Sequence, residues 1–358
     1  MKKIPVGILG ATGMVGQRFV ELLADHPWFE IKVLAASPRS AGKTYKDAVF
    51  KRWVSKKAIP KKISTMEILA VEKDLNRICK NVRLVFSALD LDKEKTKKIE
   101  VEYAKRGVFV VSTNSANRLV SDIPMIIPEV NPEHLEIINF QRKNRGFKAG
   151  GIIVKSNCSI QSYVPVLEAW AEFEPLQVIV TTNQAISGAG KTFKTWPEMI
   201  DNVIPYIGGE EEKSEKEPLK ICGKIKNGKI ESAKLPVISA TCIRVAVSDG
   251  HMASVSVKFR KNVTPEKLIA AIENYKNPIA SLNLPSSPKA FLKYFEEDDR
   301  PQTRLDRDLG SGMTISVGRI RKDPILDYKF VALSHNTLRG AAGGAVLAAE
   351  LAKAKNLL

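Results

Sequence analysis

The 358-residue chain is short of several things, and each shortage closes off a class of function. It has only four cysteines and four histidines. Cys79, Cys158, Cys222 and Cys242 lie far apart with no CxxC pair, so no metal site is expected. Long apolar runs are missing too: none approaches the roughly 20 residues needed to span a bilayer. The start, "MKKIPVGILGATG", carries two lysines, but glycines break its apolar stretch, and it reads as a strand and not as a signal peptide. The expectation is a cytoplasmic protein with reduced thiols and no membrane partner. Acidic residues are also in deficit, leaving a formal net charge of +17. The densest basic cluster, "KRWVSKKAIPKK" at 51–62, has one tryptophan and no finger or RNP pattern. Elsewhere lysines mix with glutamates, as in "LDKEKTKKIEVEYAKRG". That is a solvated surface, able to steer anionic metabolites, and no nucleic-acid partner is expected.

What the chain does have is ordinary globular composition, 44% hydrophobic and 27% charged, at a length that fits two domains. In the first block, "VGILGA", "IKVLAAS", "VRLVFSAL" and "VFVVST" read as short buried strands. Helical periodicity lies between them, as at Val15, Phe19, Leu22 and Leu23. Strands alternating with helices predict a Rossmann-type, doubly wound parallel sheet. After "RKNRGFKAGG" the texture changes. "LQVIVTTNQAIS", "CIRVAVSDGHMASVSVKFR" and "MTISVGRIRK" are longer strands without regular intervening helices, which predicts a largely antiparallel sheet with one open face. "GGEEEKSEKEPLKICGKIKNGK" reads as a charged helix ending in an Asn-Gly turn. The boundaries expected are 1–155 for a cofactor domain, completed by the small-residue helix of 336–358, and 156–335 for an α+β catalytic domain.

"GILGATGMVGQRF" places Gly10, Gly13 and Gly16 between a strand and a helix. In that context glycines let a pyrophosphate approach the helix N-terminus. The end of the second strand, "LAASPRSAG", has no acid to hold a ribose diol. Ser37, Arg39 and Ser40 suit a 2′-phosphate instead, so NADP is expected over NAD.

Cys158 stands in "SNCSIQSYVPVLEAW", where a helix can begin, with Pro165 interrupting or kinking it. A thiol near a helix N-terminus has its thiolate favoured. A single cysteine before an apolar run is, by itself, equally a packing residue. A thiol acting on a carbonyl needs a proton shuttle. Of the four histidines only His251, after the Asp-Gly of "RVAVSDGH", follows a strand and can stand at a sheet edge.

At these residues the sequence resembles the aspartate-β-semialdehyde dehydrogenases, closest to their archaeal and fungal branch. The resemblance covers essentially the whole chain. It rests on "GILGATGMVGQRF", "LAASPRSAGK", "SNCS", "QAISGAG", "RVAVSDGH", "RPQTRLDR", "GMTISVGRIRKD" and "HNTLRGAAGG". It implies NADPH-dependent reductive dephosphorylation of aspartyl phosphate to aspartate semialdehyde, in the biosynthesis of lysine, threonine and methionine. Cys158 would be the nucleophile, supported by Asn157, with His251 as acid–base residue and Gln184 orienting the acyl intermediate. Arg244 would grip the substrate carboxylate, and Arg118 the inorganic or acyl phosphate. Glu210 would meet the amino group and Lys213 the phosphate, an assignment loosened by the three adjacent glutamates of "GEEEK". Gly10, Thr12, Gly13, Met14, Val15, Ser37, Arg39, Ser40, Ser87, Ser187, Gly188, Asn336 and Thr337 would line the cofactor. A homodimer or homotetramer is implied, with the second sheet as its interface. The sequence departs from the branch after "SGAG", where Lys191 follows. Rival readings are a malonyl- or succinyl-CoA reductase, an N-acetyl-glutamyl-phosphate reductase, and a non-enzymatic NADP- or nucleic-acid-binding protein.

Overall fold

The computed structural model describes residues 2–55 and 57–358. Its first layer is a seven-stranded sheet. β1 (Ile4–Leu9), β2 (Phe29–Ala36), β3 (Ile68–Ala70), β4 (Leu84–Ser87), β5 (Phe109–Ser112), β6 (Met125–Ile126) and β7 (Gly151–Lys155) run in the order β3-β2-β1-β4-β5-β7-β6. Every neighbouring pair is parallel. Strands covered on both faces need no polar alternation, and β3, β4, β5 and β7 are buried throughout. On one face, helix Met14–Leu23 and helix Gly343–Ala354 pack Phe19, Val20, Val346 and Ala349 into a core with Ile8, Phe86 and Ile153. On the other, Ile99 and Tyr103 of helix Lys93–Lys105 meet Val85, Val110 and Val154. Strand order reverses between β1 and β4, which opens a crevice at their carboxyl ends.

The second sheet contains β8 (Pro175–Gln184), β9 (Val203–Ile204), β12 (Val237–Val245), β13 (His251–Phe259), β14 (Leu292–Phe295), β15 (Ile315–Lys322) and β16 (Tyr328–Ser334), in the order β14-β15-β16-β13-β8-β12-β9. Four neighbouring pairs are antiparallel. Two are parallel, β8 with β12 and β14 with β15, within the largely antiparallel sheet the sequence predicts. Parallel neighbours require a crossover. Helix Glu210–Ile221 and the hairpin β10 (Lys224–Lys226) and β11 (Lys229–Glu231) supply it for the first pair. At the hairpin tip Asn227 and Gly228 take φ of 50° and 72°, the left-handed pair that a two-residue turn demands.

The inner face of this sheet packs Val178, Val180, Val255 and Phe330 around Trp170. Its other face leaves Ile179, Val237, Ser239, Thr241 and Ser254 exposed. No helix among the described residues is long and apolar enough to cross a membrane.

Candidate active site

The Gly-rich turn has the shape a phosphate needs. Gly10 sits at φ +81°, where a Cβ would strike the Ala88 carbonyl, and a Cβ on Gly16 would strike that of Gly10. Gly13 precedes helix Met14–Leu23, and a Cβ there would meet only the Gly10 carbonyl, at 3.5 Å. The first and third glycines therefore serve packing, and the middle one leaves the helix end open to a ligand.

A cavity of about 500 Å³ opens there, walled by Gly10, Thr12, Gly13, Ser37 and Arg39 from the predicted set. Lys73, Glu72 and Lys95 also line it, and Lys95 pairs with Glu72 at 2.9 Å. Their chain segments carry no motif, so no sequence signal marks them. Met14 and Val15 begin the adjoining helix. Ser40 is buried outside the cavity wall, and its backbone N–H closes a turn onto Ser37. Ser87 is fully buried, with its hydroxyl donated to Glu100 at 2.8 Å. Glu100 also accepts from Ser112, Asn114 and Asn117, so this carboxylate ties the tips of β4 and β5 to the loop carrying Arg118. The donor set suits the adenosine end of a phosphorylated dinucleotide. Arg39→Ala is expected to raise KM for NADPH about tenfold and leave KM for NADH unchanged, as the loss of one charge-assisted contact requires; initial-rate kinetics with both cofactors check it.

The second cluster forms where the two sheets meet. Cys158 follows β7 in a run of turns, and the regular helix starts only at Val164. Pro165 lies in its first turn, where no backbone donor is lost, so it neither interrupts nor kinks the helix. The thiolate is not favoured in the way a helix start directly at Cys158 predicts. Burial, and then the charge of Glu210, push the thiol up to about 11, against the pull of Arg118, Lys155 and Arg244. The helical segment that does touch Cys158 is a distant one: a Cβ on Gly340 would lie 2.8 Å from the Cys158 Cβ.

Asn157 holds the loop. Its Oδ1 accepts from the Ser159 N–H and hydroxyl at 2.8 and 2.7 Å, spanning Cys158. Its Nδ2 donates to both oxygens of Glu210 at 3.0 and 2.9 Å. Lys213 and Gln184 reach the same carboxylate, at 2.6 and 3.3 Å. Among the three glutamates the geometry separates roles: Glu210 is buried, Glu211 accepts from the Cys242 N–H, and Glu212 is exposed.

Sheet register brings the remaining groups to one edge. Gln184 ends β8 opposite Arg244 of β12, and His251 begins the antiparallel β13. Arg244 donates to the Ala185 carbonyl at 2.8 Å, and the Ala185 N–H donates to His251 Nδ1 at 3.0 Å. Gly188 sits between them: a Cβ there would lie 2.9 Å from Arg244 Nη1 and 3.1 Å from His251 Nε2. Burial, and then the Arg244 charge, hold His251 down to about 3, so it is neutral. Asn336 donates to Ser187 at 2.8 Å and accepts from the Gly250 N–H at 2.9 Å, which fixes the loops around His251. Thr337 is buried beside His335. Lys191 is exposed, outside this cluster.

Sequence reasoning missed three buried ionisable groups. Glu217 accepts from Arg118 at 3.0 Å and from the Asn157 N–H at 2.6 Å. Lys220 donates to the carbonyls of Arg118, Val120 and Ile123 at 2.6 to 2.7 Å, fixing the Arg118 loop. Lys155, at the end of β7, is 2% exposed, and its Nζ has no hydrogen-bond partner among the described residues. Glu210, Ser214, Glu217 and Lys220 recur every three or four residues along helix Glu210–Ile221, a polar stripe turned inward.

A glycine turn open to phosphate in a doubly wound domain, together with a buried thiol influenced by Arg118, Lys155 and Arg244, has the make-up of a dinucleotide-dependent oxidoreductase. The semialdehyde dehydrogenase NAD-binding domain matches residues 5–138, and the dimerisation domain of the same family matches residues 165–339. The aspartate-semialdehyde dehydrogenase of Archaeoglobus fulgidus is 46% identical over 97% of both chains. The solved structure of the Candida albicans enzyme with NADP is 39% identical, covers 100% of both chains and superposes with a TM-score of 0.89. Aspartate semialdehyde dehydrogenase II of Vibrio cholerae, solved in complex with ASA, is 27% identical, covers 99% of both chains and superposes with a TM-score of 0.74. This chain belongs to the aspartate-semialdehyde dehydrogenase family.

Proposed function

We propose that the protein reduces L-aspartyl 4-phosphate to L-aspartate 4-semialdehyde, releasing phosphate, through a thioester on Cys158. The observation that carries this reading is the charge pattern around the thiol. Around Cys158 the Glu210 carboxylate, itself paired with Lys213, stands against the cations Arg118, Lys155 and Arg244. A substrate with one ammonium, one carboxylate and one phosphate matches that set. A coenzyme A thioester offers no ammonium to the Glu210 carboxylate, which disfavours the CoA-reductase reading. The ASA bound to the Vibrio cholerae relative supports the same substrate class.

In this mechanism Cys158 Sγ, once deprotonated, attacks the acyl carbon and expels phosphate onto Arg118 and Lys213. Gln184 and Asn157 keep the acyl group against the loop. NADPH, when bound with its phosphates at the Gly10–Gly13 turn and its 2′-phosphate near Arg39, supplies the hydride. His251 accepts a hydrogen bond at Nδ1, so its neutral ring carries hydrogen on Nε2, which has no partner among the described residues. That N–H is available to the substrate oxygen as charge develops on it. The thiolate then leaves as the aldehyde forms.

The exposed face around Ile179 and Val237 supports a homodimer formed through the second sheet; whether dimers pair into a tetramer depends on other surfaces. A cytoplasmic location belongs to the same reading, since the chemistry needs a reduced thiol and all four cysteines are unpaired.

The deciding assay follows oxidation of aspartate semialdehyde with phosphate and NADP, then NAD, beside malonyl-CoA with NADPH. Phosphate-dependent NADP reduction without malonyl-CoA activity is expected, and the reverse overturns the reading. Arg244→Lys is expected to raise KM for the semialdehyde about tenfold with a smaller change in kcat, because a point charge cannot copy a planar fork. Steady-state kinetics check it.

A further inference from the structure

Arg118, the proposed phosphate ligand, stands among bends and turns between β5 and β6, and Cys158 stands in another run of turns after β7. Neither loop has regular structure of its own to hold it. Yet a phosphate site and a nucleophile must keep a fixed separation, because a misplacement of about 1 Å can cost about a hundredfold in rate. Two such loops need an outside frame.

Glu217 joins them. Its side chain is 2% exposed. Oε1 accepts from Arg118 Nη1 at 3.0 Å, and Oε2 accepts from the Asn157 N–H at 2.6 Å. One carboxylate thus bridges the guanidinium and the residue directly before the nucleophile. The same helix, Glu210–Ile221, repeats the hold on either side. About one turn further on, Lys220 donates to the carbonyls of Arg118, Val120 and Ile123. About two turns back, Glu210 accepts from the Asn157 amide. Each loop is therefore tied to one rigid element through both a side chain and the backbone.

This grip leaves Arg118 able to take a ligand. Nη2 donates to the Thr113 carbonyl at 2.9 Å, and Nε is buried with no partner among the described residues. A guanidinium carries five N–H donors in one plane, so the bonds to Glu217 and Thr113 fix that plane without exhausting it.

We propose, resting on the reading of Arg118 as phosphate ligand and Cys158 as nucleophile, that Glu217 is a positioning residue for the phosphate step: it sets the guanidinium that takes the phosphate against the loop that carries the thiol. It acts through Arg118 and Asn157. A carboxylate that only neutralised Arg118 would need no second bond to the Asn157 backbone.

The test is steady-state kinetics with aspartate semialdehyde, NADP and inorganic phosphate, beside urea midpoints. Glu217→Gln keeps the side chain's shape but replaces one of its two acceptor oxygens with a donor. KM for phosphate is expected to rise about tenfold with KM for NADP unchanged. Arg118→Met also raises KM for phosphate, and adding Glu217→Gln to it is expected to raise it no further, since that effect runs through the guanidinium. The part that runs through Asn157 shows in kcat. A lower urea midpoint with KM for phosphate unmoved means a purely structural role and overturns the proposal; fold-changes in KM that multiply in the double variant overturn it as well. Should Glu217→Gln not fold, a structure of the wild-type protein with phosphate decides. Arg118 is expected to keep its bonds to Glu217 and Thr113 with the anion on its remaining N–H groups, and an Arg118 that leaves Glu217 to reach the anion overturns the proposal. Failure of the underlying reading is distinct: it shows as no phosphate-dependent NADP reduction in the wild-type protein.

Discussion

Cys158→Ser is expected to reduce turnover by at least about 10⁴-fold while NADPH binds with unchanged affinity. The hydroxyl is a far weaker nucleophile than the thiolate. Loss of the loop's shape is not the cause, because the contacts that set it do not involve sulfur. Asn157 Oδ1 bridges to Ser159 around residue 158, and Asn157 is itself held through its backbone N–H and its amide by Glu217 and Glu210. The Gly10–Gly13 turn and the cavity by Arg39, the proposed cofactor site, belong to other strands. Fluorescence titration with NADPH beside a progress-curve assay checks both halves. Activity within tenfold of the parent would remove Cys158 from the chemistry.

Arg339→Met is expected to destabilise the fold by about 3–5 kcal/mol, since it strands a buried carboxylate. Arg339 is fully buried and donates through both terminal nitrogens to Glu129 at 2.8 and 2.7 Å, also reaching the Met313 carbonyl and lying 5.0 Å over the Phe291 ring. The pair ties the segment behind Cys158 to the chain after β6. Removing one partner leaves the other charged in a dry site, whereas Arg339→Met with Glu129→Gln removes both charges and should recover much of the loss. Urea midpoints of the two variants decide it; equal midpoints would mean that the charge is not the source.

The first sheet was readable because its rules are local. Short strands alternate with amphipathic helices such as Met14–Leu23, and the glycines at 10 and 13 fall between a strand and that helix, whose third residue is Gly16. The second sheet was readable as strands but not in its connections. Nothing in "LQVIVTTNQ" or "VISATCIRV" says that the two lie parallel, because strand direction is decided by where helix Glu210–Ile221 packs. That helix also shows why part of the site stayed hidden. Its buried residues are mostly polar, with Glu210, Ser214, Glu217 and Lys220 beside Pro218 and Ile221, so the usual sign of a buried face is weak and the sequence reads as a solvated charge run. Glu210 and Lys213 were found only through the family resemblance. Lys155 was invisible for a related reason. A lysine ending an apolar strand reads as the point where the strand reaches water, and only packing by the distant Gly344 shows that it does not.

Gly340, packed on Cys158, gives the chain a timetable. Cys158 leaves the ribosome long before the segment that closes over it, so a nascent chain can have both sheets partly formed and yet lack the surface that packs on the thiol. The setting of Cys158 is then an attribute of the completed chain. A stalled or truncated product ending before residue 338 carries the cysteine but not its setting.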